Sequence, residues 1–298
     1  MSENVLSLHN VVKLYPGSHG LAMVNLQIAP GDIVGLVGSN GSGKTTLLKT
    51  ALGLLKPDHG EAWLFGEPAL KLSDASKARL SYVPQEHDVF GWLRGDELLA
   101  LMRGMYPNWD ERQALKLCAR WGVRLTQKIS AMSIGERQRL HIVRALASQP
   151  ELLILDEPVA SLDPAGRREF LREIVGRCAE FSSDTGRITP TVLFSSHIVS
   201  DLERCANKVA VLHKGVLILF SELDQIKERL IRITTPNFPE LRAKKLPGFL
   251  HYKALEKQQK QVLLILPPQL SIADVLQEMP GAVSAGIGLE DFLVELGM

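Results

Sequence analysis

Residues 38–46 read Gly-Ser-Asn-Gly-Ser-Gly-Lys-Thr-Thr, and this string constrains the fold more than any other in the chain. Gly38, Gly43, Lys44 and Thr45 stand at the spacing G-x-x-x-x-G-K-[ST] of a phosphate-binding loop. Its flanks suit it. A short β-rich run, 33–37, enters the loop, and an apolar, helix-forming run, 46–55, leaves it. Glycines let the backbone curl so that successive N–H groups point inward at phosphate oxygens. The helix start adds the positive end of its dipole. In such a loop Lys44 reaches the β- and γ-phosphates and the Thr45 hydroxyl ligates Mg²⁺, with Ser39, Asn40, Gly41, Ser42 and Thr46 completing the cradle. A strand, loop and helix in this order call for an α/β fold.

The chain has 298 residues, enough for one large domain and a smaller one, and 45% of them are hydrophobic, so a sizeable core is available. A net charge of +1 gives no sign of a bulk nucleic-acid binder. Cys118, Cys178 and Cys205 are scattered and form no C-x-x-C pair, which reads as reduced thiols in a cytosolic protein. The first nine residues lack the basic and apolar regions of a signal peptide. No apolar run approaches the ~20 residues that span a bilayer. Any action at a membrane would therefore need a partner that does the spanning.

Taken in order, the pattern predicts strands at 5–14, 21–28, 33–37, 61–65 and 80–83. A helical stretch at 95–120 follows, broken at 106–110 with Asp110 as N-cap. Its apolar positions are Leu98, Leu99 and Met102, then Leu115, Leu117 and Cys118. Ser133 and Glu136 form the S-x-x-E start of a helix running to 148. Next come an apolar strand at 152–155 and a helix at 164–180 with Phe170, Leu171, Ile174, Val175 and Cys178 on its inner side. A strand at 191–195 and a hairpin around Lys214-Gly215 close this part. The composition shifts near Ile231. A proline-rich linker is predicted at 235–248, then strands at 249–255 and 261–266 and helices at 271–279 and 289–296. The resulting division is 1–230, with a helical subdomain at about 86–150, and a small α+β unit at 231–298.

The apolar run 152–155 ends in Asp156 and Glu157. Asp156 at that strand end suits Mg²⁺ held through its water shell. Glu157 is placed to orient and deprotonate an attacking water.

With these acids the sequence resembles the ATP-binding cassette family, the ATPase subunits of ABC transporters, across roughly residues 5 to 225. Asp156 and Glu157 match its second nucleotide motif and catalytic glutamate. Residues 132–136, Met-Ser-Ile-Gly-Glu, resemble its signature, usually written LSGGQ. Gln85 matches the glutamine that senses the Mg²⁺ and water site. Ser161-Leu162-Asp163 matches the loop crossing the dimer interface. His197 matches the histidine that contacts the γ-phosphate, and Tyr15 the aromatic that stacks on adenine. Ile134 and Glu136 depart from the signature's glycine and glutamine, while Ser133 and Gly135 are retained, so activity is expected, with an affinity of the dimer for ATP that could differ. Val159 departs mildly from the usual threonine.

The resemblance implies an ABC ATPase fold with a phosphate-loop core, an antiparallel β subdomain, a helical subdomain and a small C-terminal α+β extension. It implies ATP and Mg²⁺ as ligands, with catalysis by Glu157, His197, Lys44 and Gln85, and metal contacts from Thr45, Gln85 and Asp156. Ser133, Gly135, Glu136 and Asp163 would meet the nucleotide of a second ATPase subunit, in a homodimer or heterodimer. Separate transmembrane permease subunits are implied, no nucleic acid is expected, and the chain would sit on the cytoplasmic face of the cell membrane. Residues 231–298 resemble the extension on ATPase subunits of drug, antibiotic or lipid export systems. The rival readings are a soluble ABC-type ATPase acting on nucleic acid or ribosomes, and a small-molecule phosphotransferase.

Overall fold

Alternation across the first predicted strand produces β1 (Leu6–Tyr15), whose Leu6, Leu8 and Val11 are buried. A two-residue turn at Pro16 and Gly17 returns the chain as β2 (Ser18–Ile28), antiparallel to it. β3 (Ile33–Val37) is buried throughout and leads into α1 (Lys44–Ala51). β4 (His59–Leu64) and the two-residue β5 (Glu67–Pro68) complete an antiparallel sheet ordered β2-β1-β4-β5. The computed structural model describes residues 4–85, 90–181, 189–236, 238–255 and 259–297. The start of the predicted helical subdomain, 86–89, lies outside them.

After the short α2 (Asp74–Ala78) and β6 (Leu80–Val83) the chain turns helical. α3 (Gly95–Met105) and α4 (Glu111–Arg120) are separated at Tyr106–Asp110, and Asp110 caps α4 by accepting from Gln113 N at 2.9 Å. α5 (Ile134–Ala147) starts from the Ser133–Glu136 capping box. Leu115 is 48% exposed, against expectation, and Ala114 holds the buried position beside Leu117 and Cys118. At about 100° per residue, 114, 117 and 118 share a face that 115 leaves.

β7 (Leu152–Leu155) runs parallel between β6 and β8 (Thr191–Ser196). α6 (Pro164–Phe181) connects β7 to β8 and buries Phe170, Leu171 and Ile174, whereas Val175 is 39% exposed at the margin of that stripe. α7 (Val199–Cys205), β9 (Lys208–His213), β10 (Val216–Glu222) and α8 (Leu223–Arg229) follow. The second sheet is ordered β10-β9-β3-β8-β7-β6, parallel except for β10. Its strands alternate between two cores. Leu152 and Ile154 face the antiparallel sheet, and Leu153 and Leu155 face the helices. Burial on both faces explains why β3 and β7 read as unbroken apolar runs.

β11 (Leu230–Pro236) opens the C-terminal unit. The predicted linker holds the end of this strand and one helical turn, α9 (Glu240–Ala243), with Phe238, Ala243 and Leu246 buried. β12 (Phe249–Ala254), β13 (Gln259–Ile265), α10 (Ile272–Gln277), β14 (Val283–Gly286) and α11 (Leu289–Glu295) complete the chain. The sheet order is β12-β13-β11-β14. Val262 and Leu264 face a small local core, while Leu263 and α11, through Leu289, Phe292 and Leu293, join the core of the catalytic part.

Candidate functional site

Parallel pairing aligns the strand ends that carry the chemistry. Val37 pairs with Ser196 and Leu155 with Phe194, so the loop after β3, the acids after β7 and His197 after β8 emerge at one edge of the sheet. Gly38 begins the loop. A Cβ there would lie 2.3 Å from Ser42 Oγ and 2.5 Å from Leu212 O, so no side chain fits. Gly43 has φ 106° and is the N-cap of α1, whose first turn carries no acidic residue. Lys44 Nζ donates to Gly38 O at 2.7 Å and lies 3.4 Å from Ser39 O, folding back over the loop.

A cleft of about 380 Å³ opens above the loop, lined by Tyr15, His19, Asn40, Gly41, Gly43, Lys44, Thr45, Thr46, Gln85 and Glu157. Tyr15 lines the cleft, 39% exposed, with Lys13 Nζ 5.9 Å from its ring centroid. The turn between β9 and β10 braces the loop from behind, because Gly215 N donates to Ser42 O at 2.9 Å. Lys214 and Gly215 both have positive φ, as a two-residue type I′ turn requires.

Asp156 is fully buried. Ser195 Oγ donates to its Oδ1 at 2.8 Å and accepts from Glu157 N at 2.7 Å. Asp156 Oδ2 has no hydrogen-bond partner among the described residues. A buried acceptor left bare costs about 1–3 kcal/mol, and more when charged. A bare carboxylate oxygen one residue before Glu157, which lines the cleft with Thr45 and the loop, fits a hard divalent cation such as Mg²⁺. Glu157 adopts φ 51°, a left-handed backbone that strains a non-glycine residue and aims its carboxylate inward. Its Oε1 lies 3.4 Å from Lys44 Nζ, and its Oε2 2.9 Å from His197 Nδ1.

The signature residues lie elsewhere. Ser133, Gly135, Glu136 and Asp163 do not line this cleft. They form a second group, in which a Cβ on Gly135 would meet Ser161 O at 3.1 Å and Arg139 Nη2 donates to Asp163 Oδ1 at 2.6 Å. Arg124 beside Glu136, with the Ser133 N–H, holds the Glu136 carboxyl down at about 2. Three contributors escaped the sequence reading. Ser195 and the Gly215 turn act through pairings between distant segments. His19 lines the cleft because β2 starts three residues earlier than its apolar pattern suggests.

The family described as ABC transporter matches residues 21–160. Among curated proteins, the ABC transporter ATP-binding protein YtrB of Bacillus subtilis (strain 168) is 31% identical over 77% of this chain and 76% of its own length. The bacitracin transport ATP-binding protein BcrA of Bacillus licheniformis is 32% identical over 76% and 72%. A probable sulfate/thiosulfate import ATP-binding protein, CysA of Chlorella vulgaris, is 31% identical over 78% and 97%, so the cargoes named among the relatives are diverse. A solved ATP-binding subunit of an ABC transporter superposes with TM-score 0.67 at 26% identity, covering 75% of this chain and 92% of that one. Identity above 30% across about three quarters of both chains leaves one assignment: this chain belongs to the ABC transporter family, as an ATP-binding subunit that hydrolyses ATP to drive transport.

Proposed function

We propose that this chain powers export through separate transmembrane subunits, from the cytoplasmic face of the membrane, as one of two ATPase subunits packed head to tail. Each ATP would lie between the loop of one subunit and Ser133, Gly135, Glu136 and Asp163 of the other. Support for two half-sites comes from the separation of those four residues from the cleft.

Within the cleft Tyr15 stacks on the base, and the loop amides with Lys44 hold the phosphates. Thr45, Asp156 and Gln85 would hold Mg²⁺, which when bound neutralises charge on the β- and γ-phosphates. Glu157 accepts the proton of the attacking water, and His197 carries a second donor to the γ-phosphate side. The γ-phosphate competes with the Glu157 carboxylate for Lys44 and His197, since both side chains already touch it.

The membrane reading rests on one surface feature. Trp92, seven residues beyond Gln85, is 71% exposed and edge-on to Phe90, with ring centroids 5.9 Å apart. An exposed indole offers apolar surface for a partner to cover. The neighbouring Leu93 is half-buried and packs on the core, so Trp92 is the residue to replace. Among the described residues no helix is long and apolar enough to cross a membrane. The outward direction rests on the likeness of residues 231–298 to the extensions of export systems.

The test is affinity purification from detergent-solubilised membranes. Multi-span proteins should co-purify with the native chain and be lost with Trp92→Asp, while basal ATP hydrolysis persists. Recovery from the soluble fraction alone, bound to nucleic acid or ribosomes, would overturn this reading.

A further inference from the structure

We propose that Arg124 is a positioning residue for the phosphate contact made in trans: it neutralises Glu136, so that the Ser133 hydroxyl can turn to a γ-phosphate held by the second subunit. This rests on the head-to-tail reading above.

The hydrogen bonds around Ser133 motivate it. A serine hydroxyl has one proton to donate. Ser133 Oγ accepts from Glu136 N at 3.2 Å and faces Glu136 Oε2 at 2.9 Å, so its proton is committed to that carboxylate. Glu136 Oε2 also accepts from Ser133 N at 3.1 Å. The residue expected to donate to a phosphate is thus bound to an anion of its own chain. That anion would also repel the incoming phosphate, an interaction of about 1–4 kcal/mol at 4 Å across the dielectric range of a surface site. A glutamine at this position would carry no such charge.

Arg124 answers both problems. It lies in the segment between α4 and α5, and its Nε donates to Glu136 Oε1 at 3.0 Å, with Nη2 3.4 Å from Oε2. The second contact falls on the oxygen that holds the Ser133 proton, so the guanidinium can satisfy that oxygen as the hydroxyl turns away. The Glu136 side chain is 14% exposed and that of Arg124 is 67% exposed, so the cation lies on the open side of the carboxylate. A partner surface closing here would remove water from the pair and strengthen its effect.

The experiment uses the full chain and steady-state ATP hydrolysis measured against ATP and against protein concentration. Removing the cation should lower turnover, or raise the protein concentration needed for half-maximal turnover, by about tenfold in Arg124→Ala and in Arg124→Gln. Equilibrium binding of a fluorescent ATP analogue at protein concentrations too low for pairing should stay within about twofold of wild type, because the phosphate loop is untouched. Arg124→Lys, which keeps the charge, should recover most of the loss. In a Glu136→Gln background, Arg124→Ala should cost less than about twofold, since the charge to be compensated is gone.

A merely structural surface pair would show neither the rescue by lysine nor the dependence on Glu136. Wild-type-like turnover of Arg124→Ala and Arg124→Gln, or an undiminished cost in the Glu136→Gln background, overturns the assignment and leaves the head-to-tail reading standing. Wild-type turnover per chain that does not rise with protein concentration overturns both.

Discussion

His197 Nδ1 and Glu157 Oε2 lie 2.9 Å apart, and the other Glu157 oxygen lies 3.4 Å from Lys44 Nζ. One carboxylate therefore bridges a lysine and a histidine side chain contributed by different strand ends. It is only 6% exposed, and it is held from behind by the bond from Glu157 N to Ser195 Oγ. Both partners orient it, so each of the three should be tested against the others.

Glu157→Gln keeps the shape and loses the proton acceptor. Turnover should fall by at least about 100-fold, the usual contribution of a positioned general base. ATP should still bind, and it should be retained longer because it is not consumed. Phosphate release measured beside nucleotide retention decides the matter. Turnover near that of wild type would remove Glu157 from the role of base.

Lys44→Ala should weaken ATP binding as well as turnover. The phosphates lose a direct charge-assisted donor, and Gly38 O loses its 2.7 Å partner. Titration with a slowly hydrolysed ATP analogue reads the loss directly, and unchanged affinity would place Lys44 outside the phosphate site. The variant also leaves Glu157 paired with His197 alone, so some loss of stability without nucleotide is expected.

Much of this site is legible in the sequence because its chemistry is local. Loop, lysine and threonine are consecutive, and Asp156 and Glu157 adjoin a run of four apolar residues. β3 and β7 fall at the predicted boundaries for a related reason. Central parallel strands are buried on both faces, and a short unbroken apolar run has few other uses. What escaped depends on register. Ser195 reaches Asp156 only because Leu155 pairs with Phe194. Gly215 reaches Ser42 from the turn after β9, the strand beside β3. β14 is missed because its residues are half-buried or exposed, Val283 at 71%, and show no period to detect. Arg124 and Glu136 are 12 residues apart, beyond the i+3 and i+4 spacings by which helix pairs are recognised.

Ser195→Ala tests one of those hidden contacts. Deleting the hydroxyl leaves Glu157 N and Asp156 Oδ1 without a shared partner in a buried setting. The cost should be about 1–3 kcal/mol of stability, read from the denaturant midpoint. Turnover should fall further than stability alone accounts for, since both acids lose their mutual alignment. Ser195→Thr keeps the oxygen and should restore part of the turnover. Unchanged turnover in Ser195→Ala would show that β7 aligns the acids without help from β8.

The C-terminal unit calls for a different kind of test, because its last helix is part of the main core. Phe292 is fully buried in the cluster that also holds Leu219, Leu223 and Ile226. Phe292→Ala should therefore cost about 3–5 kcal/mol by lost burial and the cavity left behind. Every residue that lines the cleft precedes Leu219 in the chain, so the folded fraction should bind ATP with unchanged affinity. The same reasoning bears on truncation. A cut near Ser221 would fall inside β10, which spans Val216–Glu222. A cut after Arg229 keeps α8 and removes Leu230, Leu263, Ile287 and α11 from the main core. The chain ending at Arg229 should bind ATP and unfold at a lower denaturant midpoint than the full chain. If Phe292→Ala leaves the midpoint unchanged, α11 does not contribute to the main core in solution. If it folds and fails to bind ATP, the extension supports the nucleotide site as well as the core.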